Sequence, residues 1–523
     1  MLIDANLLPA GVNLRADVVV VGAGPAGLTV AQDLSAAGLH VLVAEAGDRH
    51  HSRRSDDALR GECVGRAFPL VTSRQRGFGG TSGHWTSETG LRVRPLDADD
   101  LAPSAARPGH SWPFGRDDLD AYYPRALEGI GIDSADAPQR WKFEGREVPR
   151  SDGGPHLAGF QFARHDVFTD RFADVTASRR IRLVLNATIS SLPVVDDGAT
   201  VACAVATAGG VRFVATTFVL AAGAIENARI LLDSPGRTGA GLGNESDNVG
   251  RYFMDHLSFD CAILDHDRAT RLDLSAFREL DDEAGRKQQA MLWLGEPLMR
   301  SEGLLNAAFW ITESPVGYHS PGVSAARSLR QAGRSGHRGD VLRHALRTAA
   351  GARDVAELAA RSATRRGGRQ VGLRILAEQA PRRDSRVMLS DERDRTGMRR
   401  VKLDWRISEV DLDSIRGHTA LMCAMLTDGG QLRVRQVFDP ADDGPPVMTN
   451  YHHLGSTRMH ASPREGVVDA NLKVHTVSNL YVAGGSVMPT GGYVNPTLTI
   501  LALAHRLADR LLADRAPTGA STP

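Results

Sequence analysis

The stretch ADVVVVGAGPAGLTVAQDLSAAGLHVLVAEAG, residues 16–47, decides the fold. It begins with Val18–Val21, a continuous β-branched run that is typical of a strand buried on both faces of a sheet. The spacing of apolar residues predicts a helix over Leu28–Ala37 and a second strand over His40–Ala44. Strand, helix and strand in this order predict a βαβ unit, and therefore a parallel sheet.

Three glycines lie between the first strand and the helix, in the pattern Gly22-x-Gly24-x-x-Gly27. Gly22 permits a tight turn, Gly24 lets the backbone approach a pyrophosphate, and Gly27 lets the helix pack close to the strand. Glu45 ends the second strand, 23 positions after Gly22, where a carboxylate can accept hydrogen bonds from a ribose. This context predicts a dinucleotide site, for NAD or FAD, with the phosphates at the helix N-terminus.

Two later segments repeat the order of strand, turn and helix. Phe218–Ala221 is predicted to be a strand, and a small-residue turn at Ala222-Gly223 and an amphipathic helix follow it. Near the C-terminus, residues 479–512 predict another strand, a glycine-rich loop and a long helix. Together these segments predict a discontinuous cofactor domain, which can hold an extended FAD along its length.

Composition sets the limits on class and partners. A chain of 523 residues predicts two to four domains, and 42% hydrophobic with 24% charged residues is ordinary for a globular protein. Lys+Arg and Asp+Glu both number 62, so no global charge attracts nucleic acid, and we expect no such partner. No apolar run is long enough to span a bilayer.

The cysteines and the N-terminus bear on metals and on localisation. The four cysteines are scattered and form no C-x-x-C pair, which argues against structural zinc, an iron–sulfur cluster or c-type haem. Such cysteines fit a reducing cytoplasm. The N-terminus lacks a basic segment followed by an apolar one, so we expect a cytoplasmic protein without a cleaved signal.

Several collinear stretches resemble the glucose–methanol–choline (GMC) oxidoreductases, a family of FAD enzymes. They cover nearly the whole chain except about residues 262–372. The GHWT that follows a double glycine and the Asn-Pro of YVNPT make the chain more similar to the branch of pyranose oxidases and bacterial sugar dehydrogenases. The matching stretches are VVVGAGPAGLTVAQDLSAAGLHVLVAEAG, RGFGGTSGHWTS, SWPFGRDDLDAYYPRA, FVLAAGAIENARILL, GNESDNVGRYFMDH, EQAPRRDSRVMLSDERD, HHLGSTRMH and VVDANLKVHTVSNLYVAGGSVMPTGGYVNPTLT.

The resemblance implies an α/β fold (α+β overall) of the GMC and p-hydroxybenzoate-hydroxylase type. A Rossmann-like FAD-binding domain is expected to be interleaved with an antiparallel-sheet substrate domain. The FAD-binding domain is expected over residues 10–95, 165–260 and 450–515, and the substrate domain over residues 96–164 and 261–449. Strand candidates in the substrate domain are the apolar or alternating stretches at residues 287–295, 304–312, 386–390 and 401–405.

The stretch NYHHLGSTRMH, residues 450–460, sets His452 and His453 side by side. The resemblance places His452 on the family's catalytic histidine and Asn495 on its partner. The chemistry agrees, because oxidising an alcohol removes a proton, which histidine accepts near neutral pH, and a hydride, which a flavin accepts. Adjacent side chains of an extended segment point to opposite faces, so His453 is predicted to support the site from behind or to serve packing. A zinc site that includes His460 lacks a recognised ligand spacing and an acidic partner.

Asn495-Pro496 has two interpretations. Asparagine is a preferred N-cap and proline suits the first helical position, so the pair is suited to starting the last helix. The resemblance instead gives the Asn495 side chain a role in holding the substrate oxygen, which we favour. A helix that begins here would in either case direct its positive end at a nearby flavin.

The stretch RGFGGTSGHWTSETG, residues 76–90, is predicted to lie against the flavin. Gly79 and Gly80 allow the backbone to approach the cofactor closely. In pyranose oxidases the histidine that matches His84 carries a covalent bond to the flavin, whereas similar sugar dehydrogenases lack that bond. Gly83 stands where pyranose oxidases have threonine, which leaves a covalent bond through His84 open. Trp85 is as well explained by packing as by a flavin contact.

The cofactor-binding residues expected from these stretches form a broader set. Gly484 stands where many relatives have an acid, so contact there is expected to run through the main chain and Ser486. The full set is Gly22, Gly24, Gly27, Glu45, Gly79, Gly80, Thr81, His84, Thr86, Ile189, Gly223, Gly485, Ser486, Pro496 and Thr497.

An arginine-rich segment lies at residues 325–370, with eleven arginines against three acids. Its helical apolar spacing suits a basic docking face for a membrane, a quinone-linked partner or an anionic substrate. A solvated surface helix explains the same pattern, and we favour this interpretation. The tail at residues 516–523 is expected to be disordered.

The resemblance implies oxidation of a CH–OH group of a sugar, glycoside or polyol, with FAD as the cofactor and oxygen or another electron acceptor as the partner. The alternative function is a flavin-containing lyase of the same family, similar to hydroxynitrile lyases, in which FAD is redox-silent. The HWT and VNP features favour the oxidoreductase.

Overall fold

A computed structural model describes most of the chain. The described residues are 1–52, 55–85, 90–135, 155–266, 277, 280–281, 287–315, 323, 326, 329, 345–346, 348–363, 369–427, 432–436 and 448–515. The predicted tail at residues 516–523, Thr86 and much of the arginine-rich segment lie outside them.

The strands and helices alternate along the chain. The described strands are β1 (Leu2–Asp4), β2 (Asn13–Arg15), β3 (Val18–Val21), β4 (Val41–Ala44), β5 (Gly61–Cys63), β6 (Leu91–Val93), β7 (His156–Ala163), β8 (Ile181–Leu185), β9 (Ile189–Ser191), β10 (Val194–Val195), β11 (Thr200–Val201), β12 (Ala204–Ala206), β13 (Arg212–Val214), β14 (Thr217–Leu220), β15 (Leu257–His266), β16 (Leu280–Asp281), β17 (Lys287–Trp293), β18 (Ala307–Pro315), β19 (Arg369–Ala377), β20 (Arg386–Arg393), β21 (Arg399–Asp404), β22 (Leu432–Gln436), β23 (Met448–Thr449) and β24 (Leu480–Val482). The described α-helices are α1 (Pro25–Ala36), α2 (Ala98–Leu101), α3 (Asp117–Asp120), α4 (Tyr123–Gly129), α5 (Phe172–Ala177), α6 (Ala224–Asp233), α7 (Glu296–Ser301), α8 (Ala352–Ala363), α9 (Glu409–Thr427) and α10 (Thr497–Ala513).

Six strands form a parallel sheet in the order β1-β8-β4-β3-β14-β24. The four valines of β3 are at most 4% exposed, as a strand covered on both faces requires. The predicted βαβ unit is confirmed, and β4 begins one residue after its predicted start. Because β24 pairs with β14, the C-terminal segment joins the sheet that the N-terminal segment begins.

The turn between β3 and α1 permits a close approach that a side chain would block. A Cβ at Gly27 would collide with the carbonyl oxygen of Gly22, and a Cβ at Gly22 would lie 2.6 Å from the carbonyl oxygen of Ala221. The helix begins at Pro25, three residues before its predicted start, because proline fits the first turn, where no N–H is needed. The N-terminus of α1 therefore lies at the turn of residues 22–24, which we call the glycine turn.

A larger antiparallel sheet runs in the order β22-β15-β19-β18-β17-β7-β6, with β16 paired to β17 and β23 paired to β15. The predicted strands at residues 287–295 and 304–312 lie here, as β17 and β18. The predicted strands at residues 386–390 and 401–405 also form, as β20 and β21, but in a separate three-stranded sheet with β5. Strand pattern predicted their existence and not their partners. The domain boundaries remain a prediction.

The segment that precedes β15 pairs with a distant C-terminal segment. Just before it, the Met254 N–H donates to the Leu454 carbonyl at 3.2 Å, and the Leu454 N–H donates back to the Met254 carbonyl at 2.9 Å. This pair of hydrogen bonds holds residues 254–256 beside residues 452–454. Two segments about 200 residues apart in sequence thus form one wall.

The last helix, α10, is anchored at several points along its length. The hydroxyls of Tyr123 and Thr499 lie 2.9 Å apart, and His505 Nδ1 lies 2.6 Å from an Asp33 carboxylate oxygen on α1. These contacts fix the N-terminus of α10, and the Asn495 that precedes it, relative to the nucleotide turn. Among the described residues, no helix is long and apolar enough to cross a membrane.

Candidate active site

A cavity of about 600 Å³ runs between the parallel sheet and the antiparallel sheet. One end is lined by the glycine turn, with Gly22 and Gly24, and by Glu45. The other end is lined by His452 and Asn495. Its size is typical of a ligand or cofactor site in proteins. The cavity therefore joins the predicted nucleotide site to the predicted catalytic pair.

Three helix N-termini border the cavity. They are the starts of α1 at Pro25, of α6 after Gly223, and of α10 at Thr497, each of which lines the wall. The unpaired N–H groups of a helix start and its dipole favour an anion. The nucleotide end thus suits a pyrophosphate, and the start of α10 places positive potential near His452.

Glu45 holds the loops around the nucleotide end. Its carboxylate accepts the N–H of Ala23 at 2.9 Å, of Gly47 at 2.8 Å and of Gly77 at 3.0 Å. Burial raises the pKa of this carboxyl, and the three hydrogen bonds oppose that shift. The side chain lines the cavity, as the ribose contact predicted for it requires, and also joins three backbone segments.

The loop at residues 76–85, part of the stretch predicted to lie against the flavin, packs directly on the glycine turn. Residues Gly80–His84 form a 3₁₀ turn, and a Cβ at Gly80 would lie 3.1 Å from the Cα of Gly24. Thr81 and His84 line the cavity, as expected. Gly79 lies behind the wall, where its N–H donates to the Ala23 carbonyl at 2.9 Å. Its role is therefore to shape the turn by a positive φ of 87°.

His84 lines the cavity beside the glycine turn. Its ring is hydrogen-bonded to the backbone of Arg74, and its Nε2 is buried without a hydrogen-bond partner among the described residues. Burial lowers its pKa, so the ring is neutral near pH 7. A Cβ at Gly83 would displace the end of the Gln75 side chain.

Of the remaining cofactor-binding candidates, five line the cavity and one is buried behind its wall. Ser486 is fully buried, does not line the cavity, and accepts the Asn227 Nδ2 hydrogen bond at 3.0 Å, because its short turn directs the side chain toward α6. Those that line the cavity are Ile189, Gly223, Gly485, Pro496 and Thr497.

His452 and Asn495 meet at the end of the cavity. Asn495 Nδ2 lies 3.1 Å from His452 Nε2, and the other amide atom, Oδ1, is buried without a hydrogen-bond partner in the described chain. The cap of α10 is Pro496, with no side-chain hydrogen bond to the helix. The N-cap interpretation of Asn495 is therefore wrong, and its amide is available to the cavity.

The surroundings of His452 keep its ring neutral. Burial lowers its pKa well below 6.5, and the nearby rings of His256 and His453 and the Arg92 guanidinium lower it further. A neutral imidazole at pH 7 has a lone pair on one nitrogen and can accept a proton.

His453 has the packing role predicted for it, with one addition. Its ring lies 5.3 Å from that of Phe68 and 5.8 Å from that of Phe253, and burial lowers its pKa to about 3. The residue also lines the cavity, as His452 does. No described group of three or more His, Cys, Asp or Glu side chains is arranged to hold a metal ion.

Four wall residues were missed from the sequence. Arg92 lies over the ring of Trp310 at 4.6 Å and over that of Phe162 at 5.3 Å, and Tyr451 lies across the cavity near His84. Strand alternation puts Arg92, Phe162 and Trp310 on one sheet face, but only the observed strand pairing brings them together.

His256 was also missed, although its stretch was noted. Its Nδ1 lies 2.7 Å from His452 Nδ1, and the two rings are nearly perpendicular, at 84°. The preceding residue, Asp255, accepts the backbone N–H of His452 at 3.0 Å. No local sequence pattern links residues 196 positions apart.

These features fit FAD. The space in front of Gly24 is open, the nearest heavy atom to a Cβ there being the Gly80 Cα at 4.0 Å. Helix N-termini stand where a pyrophosphate needs them, and His84 Nε2 and Asn495 Oδ1 are buried polar atoms without hydrogen-bond partners in the described residues. A dinucleotide with polar ring atoms supplies partners for both.

Comparison with known families gives two matches along the chain. Residues 381–504 match the family described as GMC oxidoreductase, and this segment contains His452 and Asn495. Residues 17–237 match the family described as FAD dependent oxidoreductase, and this segment contains the glycine turn, Glu45 and His84. The two matches thus cover both ends of the cavity.

Two curated proteins and one solved structure are similar. The chain is 24% identical to the fructose dehydrogenase large subunit of Gluconobacter japonicus, over 96% of this chain and 98% of that protein. It is 38% identical to the 6'''-hydroxyparomomycin C oxidase of Streptomyces lividus, over 27% of this chain and 26% of that protein. The structure of pyridoxine 4-oxidase from Mesorbium loti shares the fold, with a TM-score of 0.53 at 16% identity, over 95% of this chain and 99% of that chain.

Proposed function

The chain belongs to the GMC oxidoreductase family and is an FAD-dependent oxidoreductase acting on CH–OH donors, and we propose that it oxidises a sugar, a glycoside or a polyol. The observation that carries the proposal is the pairing of His452 Nε2 with Asn495 Nδ2 at 3.1 Å, at the end of the cavity. The names of the relatives include a sugar and an aminoglycoside as substrates.

The wall opposite the nucleotide end supports a carbohydrate-sized substrate. Trp310 and Phe162 line the cavity, and aromatic rings are side chains on which the C–H face of a sugar ring packs. Arg92, held over these rings, has N–H donors that suit hydroxyl oxygens. A hydroxyl-rich ring therefore finds both an apolar face and polar donors beside His452.

His452 acts as the general base. Its lowered pKa leaves the ring neutral at pH 7, and its Nε2 lone pair accepts the hydroxyl proton of the substrate. Asn495 donates from Nδ2 to the same oxygen and orients the carbon that is oxidised. Bound FAD supplies the acceptor for the hydride. Gly22 and Gly24 would hold the phosphates of the cofactor, and Glu45 its ribose. Gly27 does not line the cavity and serves the packing of α1 against the turn.

When FAD is bound, His84 Nε2 would hold it through a hydrogen bond rather than a covalent bond. Gly83, with Gln75 occupying the space beside it, distinguishes this loop from that of pyranose oxidases. We expect all FAD to be released when the protein is denatured in detergent, leaving a band without flavin fluorescence on a gel. A fluorescent band that disappears in His84→Ala would contradict this assignment and establish a covalent bond.

An anaerobic stopped-flow screen tests the proposed function. The oxidised protein is mixed with sugars, glycosides, polyols and short alcohols, and the flavin absorbance band is followed. We expect saturable bleaching by at least one hydroxyl-rich ring or polyol, and slow or no bleaching by methanol and ethanol. Repeating the reaction with oxygen or a quinone identifies the electron acceptor.

Two outcomes of the screen contradict the proposal. Bleaching by simple alcohols alone would remove the carbohydrate assignment. Product formation while the flavin stays oxidised would instead favour the lyase activity known for hydroxynitrile-cleaving members of the family. The same samples distinguish these outcomes, because absorbance and product are measured together.

A further inference from the structure

His256 lies beside residues 452–454 and has no role in the proposed chemistry. It is 1% exposed and precedes β15, with its Nδ1 at 2.7 Å from His452 Nδ1. Its other ring nitrogen, Nε2, lies 3.4 Å from the carbonyl oxygen of Gly491. Both nitrogens therefore have a defined protein neighbour.

The donors and acceptors around His256 permit one arrangement of protons. The Gly491 carbonyl is an acceptor only, so His256 Nε2 carries a hydrogen and donates to it. Burial lowers the pKa of His256 to about 4, so the ring is neutral at pH 7 and its Nδ1 carries a lone pair. His452 Nδ1 must then carry the hydrogen in the short contact between the rings.

The hydrogen on His452 Nδ1 determines which nitrogen of that ring can accept a proton. A neutral imidazole carries one N–H, so with hydrogen on Nδ1 the lone pair is on Nε2. Nε2 is the atom that faces Asn495 Nδ2, which is a donor and matches a lone pair. The opposite tautomer would set two lone pairs against each other at 2.7 Å and two N–H groups against each other at 3.1 Å.

The backbone beside His452 is held by the neighbouring residue. The Asp255 carboxylate accepts the His452 N–H at 3.0 Å, and Asn450 Nδ2 donates to the His256 carbonyl at 3.0 Å. Between them, Tyr451 has a φ of 62°, a left-handed conformation that costs free energy in a residue other than glycine. Asp255 and His256 thus fix the main chain and the ring of His452, respectively.

We propose that His256 is a positioning residue that selects the tautomer of His452 in which Nε2 is the base. The proposal rests on the proposed role of His452. His256 does not carry the substrate proton away. Its Nε2 donates to the Gly491 carbonyl oxygen, and a carbonyl is too weak a base to take up a proton near pH 7. The Nδ1 atom of His256 instead accepts a hydrogen bond from His452 Nδ1, both before and after His452 Nε2 takes the substrate proton.

Two variants separate positioning from packing. His256→Asn places an amide oxygen near the position of Nδ1 and keeps an acceptor, whereas His256→Leu has similar size and no acceptor. We expect His256→Leu to reduce the limiting rate of anaerobic flavin reduction by roughly 10²-fold, on the scale of general-base catalysis. The substrate concentration for half-saturation and the bound FAD should stay near their wild-type values, and His256→Asn should recover most of the rate.

Nitrogen NMR of ¹⁵N-histidine-labelled holoenzyme gives a readout that needs no turnover. The signals that disappear in His452→Gln belong to His452, and at pH 7 we expect its Nδ1 to be protonated and its Nε2 not. This measurement on wild-type protein keeps the proposal testable even if neither His256 variant folds.

Three results would overturn the inference. They are an Nε2-protonated His452, equal rates in His256→Asn and His256→Leu, or a rate loss that follows loss of FAD or of thermal stability. Failure of the proposed role of His452 is distinct, because it appears as normal flavin reduction in His452→Gln. A slow His452→Gln with a fast His256→Leu would reject the inference alone.

Discussion

Replacing His452 with glutamine is expected to slow anaerobic flavin reduction by about 10²–10⁴-fold, which is the usual contribution of a general base. Glutamine keeps polar atoms in the cavity wall, so the bound FAD should be retained. The reason for the loss is that an amide is far less basic than the neutral His452 imidazole, which accepts the hydroxyl proton.

The pH dependence adds an independent check on His452. Protonation of its ring removes the base, and its pKa lies well below 6.5. The rate of flavin reduction in wild-type protein should therefore stay constant from alkaline pH down to about 6.5, the ordinary histidine value, and fall only at lower pH. In His452→Gln the residual rate should lack this acid limb.

His460 provides a matched control for His452. It lies in the same stretch, is half-buried, and does not line the cavity. Its Nδ1 accepts the Ser462 N–H at 3.0 Å, a local contact. His460→Gln should change the rate by no more than about 2–3-fold, as is usual for changes away from the site. A His452→Gln rate within about tenfold of wild type would fall below the usual range for a base and refute the assignment.

Replacing Gly27 with alanine is expected to abolish FAD binding and to leave little folded protein. The added Cβ would collide with the Gly22 carbonyl and lie 3.2 Å from the Ala221 side chain, so α1 would have to move away from β3. Overpacking a well-ordered core costs about 1–3 kcal/mol even where side chains can adjust. Here the obstacle is backbone, which adjusts less. Soluble yield, thermal unfolding and bound flavin measure the effect.

Two other glycines make this test specific. At Gly24 a Cβ meets only the Gly80 Cα at 4.0 Å, so Gly24→Ala should fold normally but bind FAD at least tenfold more weakly, a loss of about 1.4 kcal/mol. At Gly115 a Cβ meets no heavy atom within 4 Å, so Gly115→Ala should resemble wild type. Wild-type FAD affinity in Gly24→Ala would show that the cofactor does not lie against this turn.

The nucleotide-binding βαβ unit could be predicted because the residues that specify it are close together in sequence. The valine run of β3, the glycines after it and Glu45 lie within 30 residues and have strict geometric requirements. The largest difference was the start of the helix, because Pro25 extends α1 back to the turn. The positions of Gly79 and Ser486 behind the wall depend on turn geometry that a motif does not specify.

The substrate half could be predicted only in part, because strand patterns do not specify partners. The strands β20 and β21 were expected, but they pair with β5 and not with the large sheet. Trp310 and Arg92 come together through the order of β6, β7, β17 and β18. His452 and Asn495 were found through family resemblance, whereas the short contact of His256 with His452 depends on where β15 begins.

A crystal structure of the FAD-loaded protein tests the central claim most directly, since that claim concerns where the cofactor lies relative to two side chains. We predict that the isoalloxazine ring lies in the cavity beside His452 and Asn495, with the pyrophosphate at the N-terminus of α1. A flavin ring bound away from this pair, or a cofactor outside the cavity, would contradict it.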